Sequence, residues 1–201
     1  MQDVKLVAIL RGITPPEVTD HISVLIEEGF RYIEIPLNSP DWQQSVPLAV
    51  EQFGERAMIG AGTVLSASQV TTLTQAKARL VVTPNTRPAV IRQAVENGML
   101  VCAGCATATE AFNALDAGAQ WLKIFPSSAF GPAYISALKA VLPPEVPVLA
   151  VGGITPDNLA DYLAAGCAGA GLGGDLYRAG QSVEQTRDQA RRFMRAWHAA
   201  H

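Results

Sequence analysis

Asp116-Ala117-Gly118-Ala119-Gln120-Trp121-Leu122-Lys123-Ile124-Phe125-Pro126 holds two signals side by side. Ala117-Gly118 reads as a helix end, with glycine just past the last turn. Trp121–Ile124 is aromatic and β-branched enough to be a strand. The same unit recurs along the chain. Glu28-Gly29 stands before Tyr32–Pro36, Asn97-Gly98 before Leu100–Ala103, and Ala165-Gly166 before Ala168–Gly173. These are structural rather than sequence repeats, and their spacing suits βα units.

Extending the unit outward predicts strands at Lys5–Leu10, Tyr32–Pro36, Ala57–Gly60, Leu80–Thr83, Leu100–Ala103, Trp121–Ile124, Val148–Val151 and Ala168–Leu172. Between and after them the pattern predicts helices at Pro15–Glu28, Asp41–Phe53, Ala67–Ala78, Arg87–Asn97, Thr107–Ala117, Pro132–Leu142, Pro156–Ala165 and Val183–His198. Thr155-Pro156-Asp157 is a credible helix start, a capping Thr before proline at the first helical position. Eight strands, each followed by a helix, imply an α/β fold, a small (β/α)8 TIM barrel. An open doubly wound sheet is the alternative, but it commonly needs fewer units. No linker or composition shift divides the chain, so one domain over residues 1–201 is expected.

Composition narrows the function. The chain is 49% hydrophobic and only 16% charged, which favours oligomerisation, and its net charge of -3 gives no reason to expect a nucleic-acid partner. Arg191, Arg192 and Arg195 read as one solvated helix face. No apolar run approaches the ~18 residues that span a bilayer. No leader is visible either, so no membrane association and a cytoplasmic location are expected. The 3 cysteines form no disulfide framework. Cys102 and Cys105 make a C-x-x-C, but no second pair completes a ligand set. His21, His198 and His201 are scattered, so no metal site is expected.

In a barrel of this kind, chemistry sits at the C-terminal ends of the strands. Lys123 is the one lysine placed where water is scarce. Lys5 stands at the start of the chain, and Lys77 and Lys139 fall in helical patterns. Desolvation lowers a lysine pKa and makes a neutral amine available for Schiff-base chemistry. The structural alternative is a lysine that snorkels or pairs with a buried acid. Glu34 is the only carboxylate inside an apolar strand. Alternation puts Tyr32, Glu34 and Pro36 on one face and Ile33 with Ile35 on the other. If the isoleucines pack under the helices, Glu34 points into the barrel, as does Lys123 by the same logic. An acid near a reactive amine suits proton transfer, whereas a Glu34–Lys123 ion pair is the bland alternative.

Gly152-Gly153 and Gly173-Gly174 follow the last two strands, the usual phosphate position in these barrels. Glycines let backbone N–H groups approach an anion, although turn chemistry alone also uses them. Arg11 and Thr63 stand at further strand ends and could hold a carboxylate or a hydroxylated carbon, or Arg11 could brace Glu34.

With these residues in view, nearly the whole chain resembles the class I aldolases of 2-keto-3-deoxy-6-phospho sugar acids. The resemblance is carried by Val7–Gly12, Ile33-Glu34-Ile35, Gly60-Ala61-Gly62-Thr63-Val64, Pro84-Asn85, Lys123-Ile124-Phe125-Pro126 and Gly152-Gly153-Ile154. It implies that Lys123 forms the Schiff base and Glu34 is the general acid/base. It also implies that Arg11 and Thr63 contact the pyruvate end or the substrate hydroxyls. Gly152, Gly153, Gly173 and Gly174 would cradle the phosphate, with Val151, Phe125 and Pro84 as further substrate contacts. No cofactor or metal is implied, and a homotrimer is. Pyruvate and glyceraldehyde 3-phosphate would be the products. Asn38 stands where gluconate-type members tend to carry arginine, and Val151 where they tend to carry threonine. The run Ile35–Pro40 looks like the galactonate-type members, which differ at the substrate's C4 stereocentre. A third departure is Ala103 before Gly104-Cys105, where proline often stands. The gluconate-type reaction and a sugar-phosphate-binding barrel without lyase activity are the alternatives.

Overall fold

The computed structural model describes residues 3–201, so the first two positions of the expected domain lie outside the described residues. Its strands are β1 (Lys5–Ile9), β2 (Tyr32–Pro36), β3 (Met58–Gly62), β4 (Leu80–Val82), β5 (Leu100–Cys105), β6 (Trp121–Ile124), β7 (Val148–Val151) and β8 (Gly169–Leu172). Its helices are α1 (Pro15–Glu27), α2 (Trp42–Phe53), α3 (Ala67–Gln75), α4 (Pro88–Glu96), α5 (Ala108–Asp116), α6 (Ser127–Lys139), α7 (Leu159–Ala164) and α8 (Val183–Ala199). All strands are parallel and close in sequence order, β8 pairing back onto β1. The TIM barrel is therefore observed, and the open sheet is excluded.

Alternation along each strand sorts the side chains into two cores. Ile33, Ile35, Leu122 and Ile124 face outward and pack beneath the helices. Val7, Ile9, Leu80, Val82, Cys102, Trp121, Leu149 and Val151 form a separate cluster inside the barrel. Each large aliphatic group so buried contributes about 1.5–3 kcal/mol. Register then fixes the two ionisable residues on the inner face. Glu34 lies across from Ile9 and Gly60, and Lys123 across from Gly104 and Leu149.

Helix starts follow from local chemistry. α3, α5 and α8 begin with capping boxes, Ser66 with Gln69, Thr107 with Glu110 and Ser182 with Gln185. Several predicted boundaries are corrected, among them an end of α3 at Gln75 rather than Ala78 and of β5 at Cys105 rather than Ala103. β3 continues through Ala61 and Gly62, because both pair with β2 despite their turn-like composition. α6 begins at Ser127 rather than Pro132, as two helical pieces joined at Gly131 with φ of 75°. The buried Ser127 holds the first piece, its Oγ donating to Ile124 O at 2.7 Å and accepting from Val151 N at 3.0 Å. α7 begins at Leu159, not Pro156. Thr155 Oγ1 does accept from Asn158 N at 3.3 Å, but residues 156–158 form a turn rather than a helical one.

Candidate active site

A cavity of about 470 Å³ opens at the C-terminal ends of the strands. Its walls include Arg11 and Asn38, Lys123 and Phe125, Val151 to Ile154, and Gly173 to Asp175. That volume suits a small organic ligand. Beneath it is a much tighter space of about 10 Å³, bounded by Glu34, Cys102, Lys123 and apolar side chains of the inner cluster. Lys123 borders both, so it links the open mouth to the chamber that holds Glu34. A neighbouring groove of about 430 Å³ shares Gly174 and Asp175 with the mouth, but its walls touch neither Lys123 nor Glu34.

Lys123 is 6% exposed and Glu34 2%. No carboxylate oxygen lies within 4.0 Å of Lys123 Nζ among the described residues, so the two do not form the ion pair that the sequence left open. Instead, Nζ sits over the Phe125 ring at 4.8 Å from its centroid. Burial holds the Lys123 pKa below its usual value, opposed by the charge of Glu34. Burial also pushes the Glu34 carboxyl up to about 7, with Lys123 and Arg11 pulling the other way. Glu34 Oε2 is buried and accepts no hydrogen bond. Burial thus disfavours the charged form of both groups, and the Glu34 carboxyl can exchange a proton near neutral pH.

Arg11 does not brace Glu34 directly. Its Nη1 donates to Asn38 Oδ1 at 2.6 Å and, more weakly, to Thr63 Oγ1 at 3.5 Å. Asn38 thereby orients the guanidinium over the mouth. Thr63 has φ of 55°, a left-handed conformation that is an outlier for a β-branched residue. Strain of this kind concentrates at functional sites.

The two glycine pairs differ. Gly152 and Gly153 have φ of 96° and 74°, and a Cβ on Gly153 would come within 2.6 Å of Ser128 Cβ. Their backbone requires glycine. A Cβ on Gly173 would meet nothing within 4 Å, and one on Gly174 only Arg178 Nε at 3.8 Å. That second loop is free of steric demand and open to the cavity.

Of the predicted contacts, Lys123, Arg11, Phe125, Val151 and all four glycines line the mouth. Thr63 stands behind Arg11. Pro84 does not join the wall, because its backbone packs over Gly104, where a Cβ would come within 2.4 Å of Pro84 C. Sequence reasoning placed Asn38 at a strand end and noted it as a departure from a pattern without giving it a contact, and it missed Ile9, Ile154 and Asp175 as wall residues. The position of Asp175 directly after Gly173-Gly174 was the available signal. Cys102 lies in the inner cluster and Cys105 in the outer one, so they face opposite ways. Burial pushes both thiols up to about 12. Among the described residues, no group of three His, Cys, Asp or Glu is disposed to hold a metal, and no helix is long and apolar enough to cross a membrane.

The family model described as KDPG and KHG aldolase matches residues 1–191. Over 195 residues the chain is 63% identical to the 2-dehydro-3-deoxy-6-phosphogalactonate aldolase of Escherichia coli (strain K12), covering 97% of this chain and 95% of that protein. Over 196 residues it is 46% identical to the "Probable 2-dehydro-3-deoxy-6-phosphogalactonate aldolase" of Rhizobium meliloti (strain 1021), covering 98% and 92% respectively. A solved structure described as native KDPGal superposes with a TM-score of 0.98 at 61% identity, covering 100% of this chain and 97% of that one. By its barrel, its strand-end lysine and these similarities, the chain belongs to the KDPG and KHG aldolase family.

Proposed function

We propose that the chain is a class I aldolase that cleaves 2-dehydro-3-deoxy-6-phospho-D-galactonate to pyruvate and D-glyceraldehyde 3-phosphate. The observation that carries this is Lys123, a buried amine at the mouth with no carboxylate within 4.0 Å and Glu34 in the chamber beside it. A lysine so placed is a nucleophile, not a structural ion.

The chemistry runs as follows. Neutral Lys123 attacks the C2 ketone, and loss of water from the carbinolamine gives an iminium. Ionised Glu34, directly or through a water, removes the proton of the C4 hydroxyl. The C3–C4 bond breaks, its electron pair flows into the iminium, and C4 becomes the aldehyde carbon of glyceraldehyde 3-phosphate. The remaining enamine takes a proton at C3, and hydrolysis releases pyruvate and the free amine. Arg11, held by Asn38, suits the substrate carboxylate or its hydroxyls, and Thr63 supports it from behind. The backbones of Gly152, Gly153, Gly173 and Gly174 suit the phosphate. No cofactor enters any step.

The galactonate epimer is favoured by Asn38, which occupies Arg11 where gluconate-type members tend to carry a second arginine, and by the 63% identity to the Escherichia coli protein. One domain, assembled as a cytoplasmic homotrimer, completes the proposal. Exposed Leu65, Phe112 and Phe130, away from the walls of the mouth, offer apolar groups for subunit contact. Light scattering on the purified protein tests the trimer.

Pyruvate release from the two C4 epimers, measured side by side, tests the reaction. The galactonate epimer should lead in kcat/KM by about tenfold or more. The reverse preference would make this a gluconate-type enzyme. Thermal stabilisation by both ligands with cleavage of neither would make it a non-catalytic binder.

A further inference from the structure

We propose that Gly62 is a positioning residue that seats the Glu34 carboxylate, an inference that rests on Glu34 being the acid/base of the proposed reaction. Gly62 ends β3 and pairs with Pro36 of β2, two positions beyond the Glu34–Gly60 pair. It shares the inward face with Gly60. A Cβ built on Gly62 would lie 2.1 Å from Glu34 Oε2 and 2.3 Å from both Cδ and Oε1. The whole carboxyl group therefore occupies the volume into which any other residue would project its side chain.

The other inward glycines do something else. A Cβ on Gly60 would strike Leu80 O at 1.8 Å, and one on Gly104 would strike Pro84 C at 2.4 Å, so those glycines permit close strand packing. Among the glycines, Gly62 is the one whose Cβ would have Glu34 as its nearest neighbour. Its φ lies outside the left-handed region, so the backbone there accepts an L residue. The three atoms nearest to such a Cβ all belong to the Glu34 carboxylate.

Shape matters here because no protein group donates a hydrogen bond to Oε2, which is buried. The flat surface of Gly62 is then what keeps the group in the chamber it shares with Lys123 and Cys102. That surface is firm, since Gly62 O accepts from Leu37 N at 2.8 Å. A methyl group at position 62 would turn the carboxylate aside by rotating a side-chain tip, and the barrel would stay closed. A misplacement of about 1 Å can lower a rate by about 100-fold.

The test is a set of variants at positions 62 and 34. Gly62→Ala should lower kcat by about 100-fold with KM within about threefold and with borohydride trapping of pyruvate on Lys123 retained. Glu34→Asp, whose carboxylate is one carbon shorter, should recover about tenfold in kcat when added to Gly62→Ala, although alone it slows the wild type. A purely structural role for Gly62 would not give that rescue. Stability supplies a second readout that survives poor folding of the single variant. Gly62→Ala should lower the melting temperature only while Glu34 is present, and should be silent in a Glu34→Ala background. Equal destabilisation in both backgrounds, or a wild-type kcat for Gly62→Ala while Glu34→Gln is slow, would overturn the inference about Gly62 alone. A wild-type rate for Glu34→Gln would instead remove Glu34 from the reaction.

Discussion

Strand β6 has an aromatic ring at each end, and a lysine lies over each ring. At the N-terminal end, Lys5 Nζ is 5.9 Å from the centroid of Trp121. At the C-terminal end, Lys123 Nζ is 4.8 Å from that of Phe125. The resemblance stops there. Lys5 is 23% exposed in its side chain and pairs with Asp3 at 2.8 Å, and Asp3 also accepts from the Tyr32 hydroxyl at 2.8 Å. Lys123 is buried and has no carboxylate within bonding reach. Lys5 keeps contact with solvent and a counter-charge, whereas the burial of Lys123 without a partner favours its neutral amine. The aromatic neighbour decides nothing. Solvent and the counter-charge decide which lysine can become a nucleophile.

The largest expected effect breaks the comparison outright. Lys123→Ala should reduce turnover by about 10⁴-fold or more in a pyruvate-release assay, and Lys5→Ala should leave it within about twofold. Near wild-type cleavage by the Lys123 variant would sink the assignment. Next comes Glu34, the acid beside the proposed nucleophile. Glu34→Gln should lower kcat by about 10²- to 10⁴-fold with the barrel still folded, as circular dichroism would report.

Acidity sharpens the contrast. Glu34 must be ionised to act as a base, so kcat/KM should fall as pH drops through about 7, and that limb should be absent in Glu34→Gln. The same shift has a sign in stability. The folded carboxyl titrates above its usual 4.5, so the unfolded chain ionises first as pH rises. Native stability should therefore decline between about pH 4.5 and pH 7 and then level off, by an amount on the order of 1–3 kcal/mol. Urea midpoints measured across that window should show the decline in the wild type and lose it in Glu34→Gln.

The smallest effects separate the two glycine loops. Gly153→Ala forces a left-handed backbone and a contact with Ser128, and should destabilise by about 1–2 kcal/mol in thermal unfolding. Gly173→Ala enters open space and should change stability by less than about 0.5 kcal/mol. It should still raise KM, because its methyl group would stand where the phosphate is proposed to bind. An unchanged KM would move the phosphate away from that loop.

The barrel was legible because the helix–glycine–strand unit is a local signal repeated along the chain. Inward placement of Glu34 and Lys123 followed from alternation with Ile33, Ile35, Leu122 and Ile124. Boundaries were lost where composition and tertiary pairing disagree. Ala61-Gly62 resembles a turn yet pairs with β2, and Ser127-Ser128 resembles a loop yet starts α6 through hydrogen bonds to β6 and β7. The relation of Lys123 to Glu34 was out of reach, since strand alternation gives a face and not a distance. For the same reason Asn38 could not be recognised as the partner of Arg11, which lies 27 positions away in sequence.

Reductive trapping tests the central claim most directly. The folded protein is treated with pyruvate and borohydride, and the adduct is weighed and mapped to a peptide. One reduced pyruvyl adduct on Lys123, with Lys5 unmodified, is the expected result. No adduct, or equal labelling of Lys5, would contradict it and return Lys123 to a structural role.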